Sequence, residues 1–147
     1  MPFRFTLAPL LRLRQSVERQ RTLQLQEVSH RVTRAQEVLA QLERFLSDSA
    51  QSDSTNLAMG RSAAELQFAS VFRENLHHHR QELQSDIGKL EVLRQQAVSA
   101  YQQAYRAREV LESLRARQRR TYQQEQLRRE QQELDATYLL QRWHHRD

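Results

Sequence analysis

The spacing of apolar residues constrains this chain more than any single motif does. Leu25, Val28, Val32, Ala35, Leu39, Leu42 and Leu46 recur in alternating steps of three and four. A second run, Leu90, Leu93, Ala97, Ala100, Ala104, Ala107, Leu111 and Leu114, keeps the same rhythm over eight positions. Steps that average 3.5 residues draw one narrow stripe along an α-helix, the seam of a left-handed coiled coil. Such a stripe is unstable in water, so each run needs a partner helix.

Composition narrows the options further. Glycine occurs only at Gly60 and Gly88, which nearly excludes the tight hairpins, phosphate loops and multi-strand sheets that depend on positive φ. The absence of Cys removes disulfide and Cys-zinc scaffolds. Only 38% of residues are hydrophobic and 28% carry charge of either sign, with 22 Arg, one Lys (Lys89) and 21 Gln, the make-up of long solvated helices. No stretch approaches the ~18 to 20 apolar residues of a membrane span, and the opening, with Arg4, Arg12 and Arg14, lacks an apolar signal core. A cytoplasmic location is expected.

The pattern predicts one all-α domain over residues 1–147. Helix 1 is expected from about 7 to 46, a connection from about 47 to 61, and helix 2 from about 62 to 141. Leu7, Leu10, Arg14, Val17 and Arg21 extend the first seam upstream. The step from Arg21 to Leu25 adds a second four, a stutter expected to unwind the supercoil locally. Thr6 is placed to cap helix 1, Phe5 to staple onto Leu10, and Pro9 to sit in the first turn. Residues 47–61 are rich in Ser, Asp, Asn and Gly, whose side chains or flexibility compete with helix geometry. Ser62 and Glu65 form the S-x-x-E capping box that opens helix 2, where Leu76 and Leu83 keep the heptad.

Folding at the connection gives a long antiparallel two-helix coiled coil, a hairpin with unequal arms of about 60 and 120 Å. The Ala-rich seam of helix 2 requires a close or bulky partner. Charge is polarised: residues 1–34 carry a net +5, 35–100 a net −3 and 101–147 a net +3. The hairpin therefore gathers its basic segments at the open end and leaves an acidic closed end carrying Phe45, Phe68 and Phe72.

Few residues invite chemistry. His77, His78 and His79 are adjacent, and neighbours on a helix point ~100° apart, so they read as a polar face rather than a metal site. His144 and His145 read the same way. No nucleophile, base and orienter can be assembled, so no catalysis, cofactor or metal is expected. Arg115, Arg117, Arg119, Arg120, Arg128 and Arg129 form a basic arm interspersed with Glu109, Glu112, Glu125 and Glu130. That arm suits solubility or protein contact better than nucleic acid, because it lacks the uninterrupted basic helix of zipper-type DNA binders. Phe72 and Leu76 lie one turn apart, and together need not fit a seam shared by two helices, which makes them a candidate docking strip.

Three stretches then carry a resemblance: FRFTLAPLLRLRQSVE at the opening, SAAELQFASVFRENL at the entry to helix 2, and RREQQELDATYLLQRW near the end. In order and spacing the chain resembles the flagellar export FliJ family, the central stalk of type III secretion ATPases. The resemblance implies a hairpin like the γ stalk of rotary ATPases. It implies an open end seated in the hexameric export ATPase FliI, another end on the export gate FlhA, and escort of export chaperones. It further implies a monomer at the cytoplasmic face of the inner membrane, peripheral to it through the gate.

Carried onto this sequence, the gate-binding face falls on Leu42, Phe45, Phe72 and Leu76, flanked by Val38, His79 and Leu83. Ser49 stands where members tend to have a further aromatic. The ATPase-binding end, placed by position, takes Leu7, Leu10, Leu11 and Arg12 with Arg115, Arg119, Arg120 and Arg128. Virulence-type secretion stalks share the shape, and an Arg-rich nucleic-acid-binding coil or a self-associating structural coil are the competing readings.

Overall fold

The computed structural model describes residues 2–146, apart from the side chains of Leu57 and Ala58. Two helices, α1 (Ala8–Ala58) and α2 (Ala63–His144), pack against each other, and no strand occurs among the described residues. Contacts group the chain into two compact units, Met1–Arg19 with Gln103–Asp147, and Gln20–Gln102.

In the first unit the Leu11 N–H donates to the Leu7 carbonyl at 2.9 Å, the first α-type bond of α1. Leu7, rather than the expected Thr6, is therefore the capping residue, and Pro9 lies in the first turn where it removes no intrahelical donor. Phe5 is buried with Leu11 and Leu111, and Phe3, Ala8 and Leu114 pack against that cluster. The predicted staple partner, Leu10, stays partly exposed, because Phe5 gains more by joining the shared apolar cluster. Beyond Gln126 every described residue of α2 is exposed.

The upstream seam lies one residue on from the predicted one. Ala8, Leu11, Gln15, Glu18 and Thr22 are buried or half-buried, whereas of the predicted positions Leu7, Leu10, Arg14 and Arg21 are exposed and Val17 alone is half-buried. From Thr22 the seam reaches Leu25 and Val28 in two steps of three. The expected stutter is thus a stammer, which overwinds rather than unwinds. Polar partners explain the frame: Gln15 and Glu18 sit at seam positions because Glu112 and Arg108 meet them there.

In the second unit all seven predicted seam residues of α1 are at least half-buried, Val32 and Leu46 fully so. Helix α1 then continues past Leu46 to Ala58, and the connection shrinks from 47–61 to Met59–Ser62. The seam runs on as Ser49, Asp53 and Asn56, all half-buried and still in steps of three and four. The hydroxyls of Ser54 and Thr55 donate back to the Gln51 carbonyl at 2.8 and 3.0 Å, so they are satisfied inside the helix rather than breaking it. Gly60, at φ +82°, takes the left-handed position that ends α1. Ser62 then caps α2: its Oγ accepts the Glu65 N–H at 3.3 Å and its carbonyl accepts the Leu66 N–H at 3.1 Å.

Facing this seam, Leu66, Ala69, Arg73, Leu76, Arg80, Leu83, Ile87 and Leu90 are half-buried at heptad spacing. Asp53 pairs with Arg73 and Glu43 with Arg80, and Val28 shares a groove with Ala97. The Ala seam stays shallow: a groove of about 410 Å³ opens over Val28, Ala97 and Ala100. Leu93, predicted at the seam, is instead 47% exposed at its margin.

Candidate protein-interaction surfaces

Two surfaces stand out, one in each unit. The first surrounds the turn. The Phe45 and Phe72 rings meet edge-to-face with centroids 6.4 Å apart, although each side chain remains about half exposed. They belong to a groove of about 830 Å³ that is also lined by Phe68, Ala69, Asp48, Asp53, Arg61 and Glu65. Asp53 is held by Arg73 and by Arg61 at 3.5 Å, so one seam carboxylate ties α1 to the connection and to α2. This ionic clasp fixes how the helices meet where few apolar atoms could do so.

The residues expected at the gate-binding face divide. Phe45 and Phe72 come together at the surface, and Val38 and His79 are exposed. Leu42, Leu76 and Leu83 are half-buried residues of the seam. Ser49 is likewise a half-buried seam residue that lines the groove, not an outward position. His78 and His79 approach Glu82 at 3.5 and 3.8 Å, and among the described residues no group of metal-ligating side chains converges.

The second surface lies in the other unit. Arg108 pairs with Glu18, with Glu112 at 2.7 Å and with Glu109 at 3.4 Å, and its guanidinium lies 5.1 Å from the centre of the Tyr105 ring. The Glu18 hydrogen bond, aided by the hydrogen bond and charge of Glu112, raises Arg108 above its ordinary value against the opposing effect of burial. Sequence reasoning missed this knot. The Arg108–Glu112 spacing of four was its one legible sign.

Further along α2 in the same unit, Phe3 packs on Tyr122 at 5.6 Å in a groove of about 380 Å³ lined by Arg4 and Arg117. Arg12 and Arg115, separately expected at the ATPase-binding end, line one groove of about 300 Å³. Leu7 and Leu10 are partly exposed, and Arg119, Arg120 and Arg128 are exposed along α2. Leu11 is corrected: at 3% exposure it is core, withdrawn from any partner because it anchors the Phe5 and Leu111 cluster.

The family model described as flagellar FliJ protein matches residues 3–147, essentially the whole chain. The chain belongs to the FliJ family. No curated protein and no solved structure gives a significant match. Membership makes the chain a component associated with the flagellar protein export apparatus. No helix among the described residues is long and apolar enough to cross a membrane.

Proposed function

We propose that this FliJ-family chain is a stalk-like, non-enzymatic export component, an antiparallel coiled-coil hairpin that binds the hexameric export ATPase FliI and links it to the export gate FlhA. The observation that carries the reading is the family match over residues 3–147. The pairings Asp53–Arg73 and Glu43–Arg80 support the hairpin, because the partner on α2 rises in number as the partner on α1 falls. The same match favours the flagellar system over a virulence-type stalk.

In this reading the gate meets the exposed Phe45 and Phe72 pair with Val38 and His79 beside it, together with the seam residues Leu42, Leu76 and Leu83. An edge-to-face pair left half in water offers apolar area and a fixed shape to a partner. The ATPase ring meets Leu7, Leu10 and Arg12 with Arg115, Arg119, Arg120 and Arg128, whose charge suits an acidic pore lining. Export chaperones are further partners, and the chain works as a monomer at the cytoplasmic face of the inner membrane, held there through the gate.

The test is ATP turnover by the cognate export ATPase with and without this protein, alongside co-migration with the ATPase and with the gate's cytoplasmic domain. Higher turnover and co-migration with both are expected. Unchanged turnover with no co-migration removes the stalk reading. Gel shifts on a random duplex, read across salt, separate it from a nucleic-acid-binding coil, whose affinity would fall steeply as salt rises.

A further inference from the structure

Past Gln126, α2 carries a stripe that no described residue covers. Leu127, Leu134 and Tyr138 are each about two-thirds exposed. With Gln131 between the leucines they keep steps of four, three and four, a heptad seam in its own right. Residues 123–146 hold four Arg and four acids, whereas 101–122 hold six Arg and two Glu. This electroneutral end of the helix is the one part of the basic segment that can approach its own kind without net repulsion.

We propose that this stripe pairs with the same stripe of a second copy of the chain, as a short antiparallel coiled coil in which Arg128 of each copy meets Asp135 of the other. The flanking charges choose the orientation. A parallel pair places Glu130 beside Asp135 of its neighbour on both sides, two like-charge contacts. Three antiparallel registers overlap the leucines. Setting Leu127 against Gln131 of the other copy opposes Arg128 to Arg128 and Glu130 to Glu130. Setting Tyr138 against Leu134 opposes Arg128 to Arg142 and Asp135 to Asp135. Setting Leu127 against Tyr138 and Leu134 against Gln131 opposes Arg128 to Asp135 twice and creates no like-charge pair.

The side chains are prepared for that register. The Gln131 amide donates to Asp135 Oδ1 at 3.2 Å, which steadies the carboxylate and leaves its second oxygen for a guanidinium. Each of the two seam glutamines faces Leu134 of the other copy, which lowers the strength of the seam, so the pair is weak and exchanges readily. While it persists, the stripe and Arg128 are covered and unavailable to another partner. The inference stands apart from the stalk reading, since it needs neither an ATPase nor a gate.

Sedimentation velocity on the full chain from 5 to 500 µM tests it. The mass is expected to rise from monomer toward dimer. Arg128→Asp or Asp135→Arg alone should weaken the dimer about tenfold, the weight of two lost ion pairs turned repulsive, with helical content unchanged. The double swap should restore it. The chain has no Cys, so Leu127→Cys and Tyr138→Cys variants report orientation under oxidation. A mixture of the two should cross-link, while each alone should not. A monomer mass at every concentration, failure of the double swap to restore, or cross-linking within a single variant overturns the proposal.

Discussion

The two units solve the same packing problem with different chemistry. Around Phe5, Leu11 and Leu111 the helices share a small apolar cluster, fastened at its side by Arg108. Near the turn the seam is polar: Ser49, Asp53 and Asn56 face an α2 stripe that includes Arg73 and Arg80. Apolar seams supply stability and tolerate several registers, whereas ionic seams supply little net stability and penalise wrong registers. Heptad rhythm and apolar content are therefore separable. A helix keeps its frame through a polar stretch when one position in it, here Asp53, is tied to the facing helix.

The comparison breaks most easily at Leu11. Replacement by Ala should cost about 3 kcal/mol in urea unfolding, as expected for a buried leucine. A loss below about 1 kcal/mol would mean that the cluster is no core. Next, Leu76→Ala should cost about 1 to 2 kcal/mol, because this side chain is half-buried at the seam, while Phe72→Ala one turn away should cost less than about 0.5 kcal/mol yet weaken gate binding. Equal losses from the two would erase the distinction between support and surface.

The two glycines should respond with opposite signs. Gly60→Ala meets no neighbour within 4 Å but must hold φ at +82°, so it should lose about 1 kcal/mol. Gly88→Ala, inside α2 and equally unobstructed, should gain about 0.5 to 1 kcal/mol. Thermal melts of both variants check the pair.

The smallest effect is a null across pH. Arg108 is raised by Glu18, so its contribution is complete below the ordinary guanidinium range and is lost only as pH climbs through the higher folded value. Between about pH 7 and 10 the wild type and Arg108→Ala should therefore differ by a constant amount, with wild type the more stable. A gap that narrows across that window would assign the knot to some other titrating group.

Helix existence, the seven-residue seam of α1 and the Ser62 cap were all legible from spacing and capping chemistry. The segment 47–58 was not, because tracking apolar residues cannot register Ser49, Asp53 and Asn56 as seam positions, and Ser and Asp usually signal a break. The partner that holds Asp53 at the seam, Arg73, lies on the other helix and is invisible locally. The upstream frame slipped for a similar reason: Leu7 and Leu10 are the stronger apolar signal, yet Gln15 and Glu18 gain partners only if Leu11 turns inward. At the candidate surfaces, aromatic content near the turn was readable. Which of Phe72 and Leu76 faces out required the position of Arg73 between them.

The four-residue connection at Met59–Ser62 also sets an order of assembly. Asp53 and Arg73 meet across a short intervening loop, whereas Gln15 and Glu112 are 97 residues apart in the chain. Closing the shorter loop loses less chain entropy, so the first productive encounters between the helices fall beside Gly60 and later ones propagate away from it. The ionic contacts there would act early, as selectors of alignment during zipping. The apolar cluster would arrive last and make the result hard to reverse.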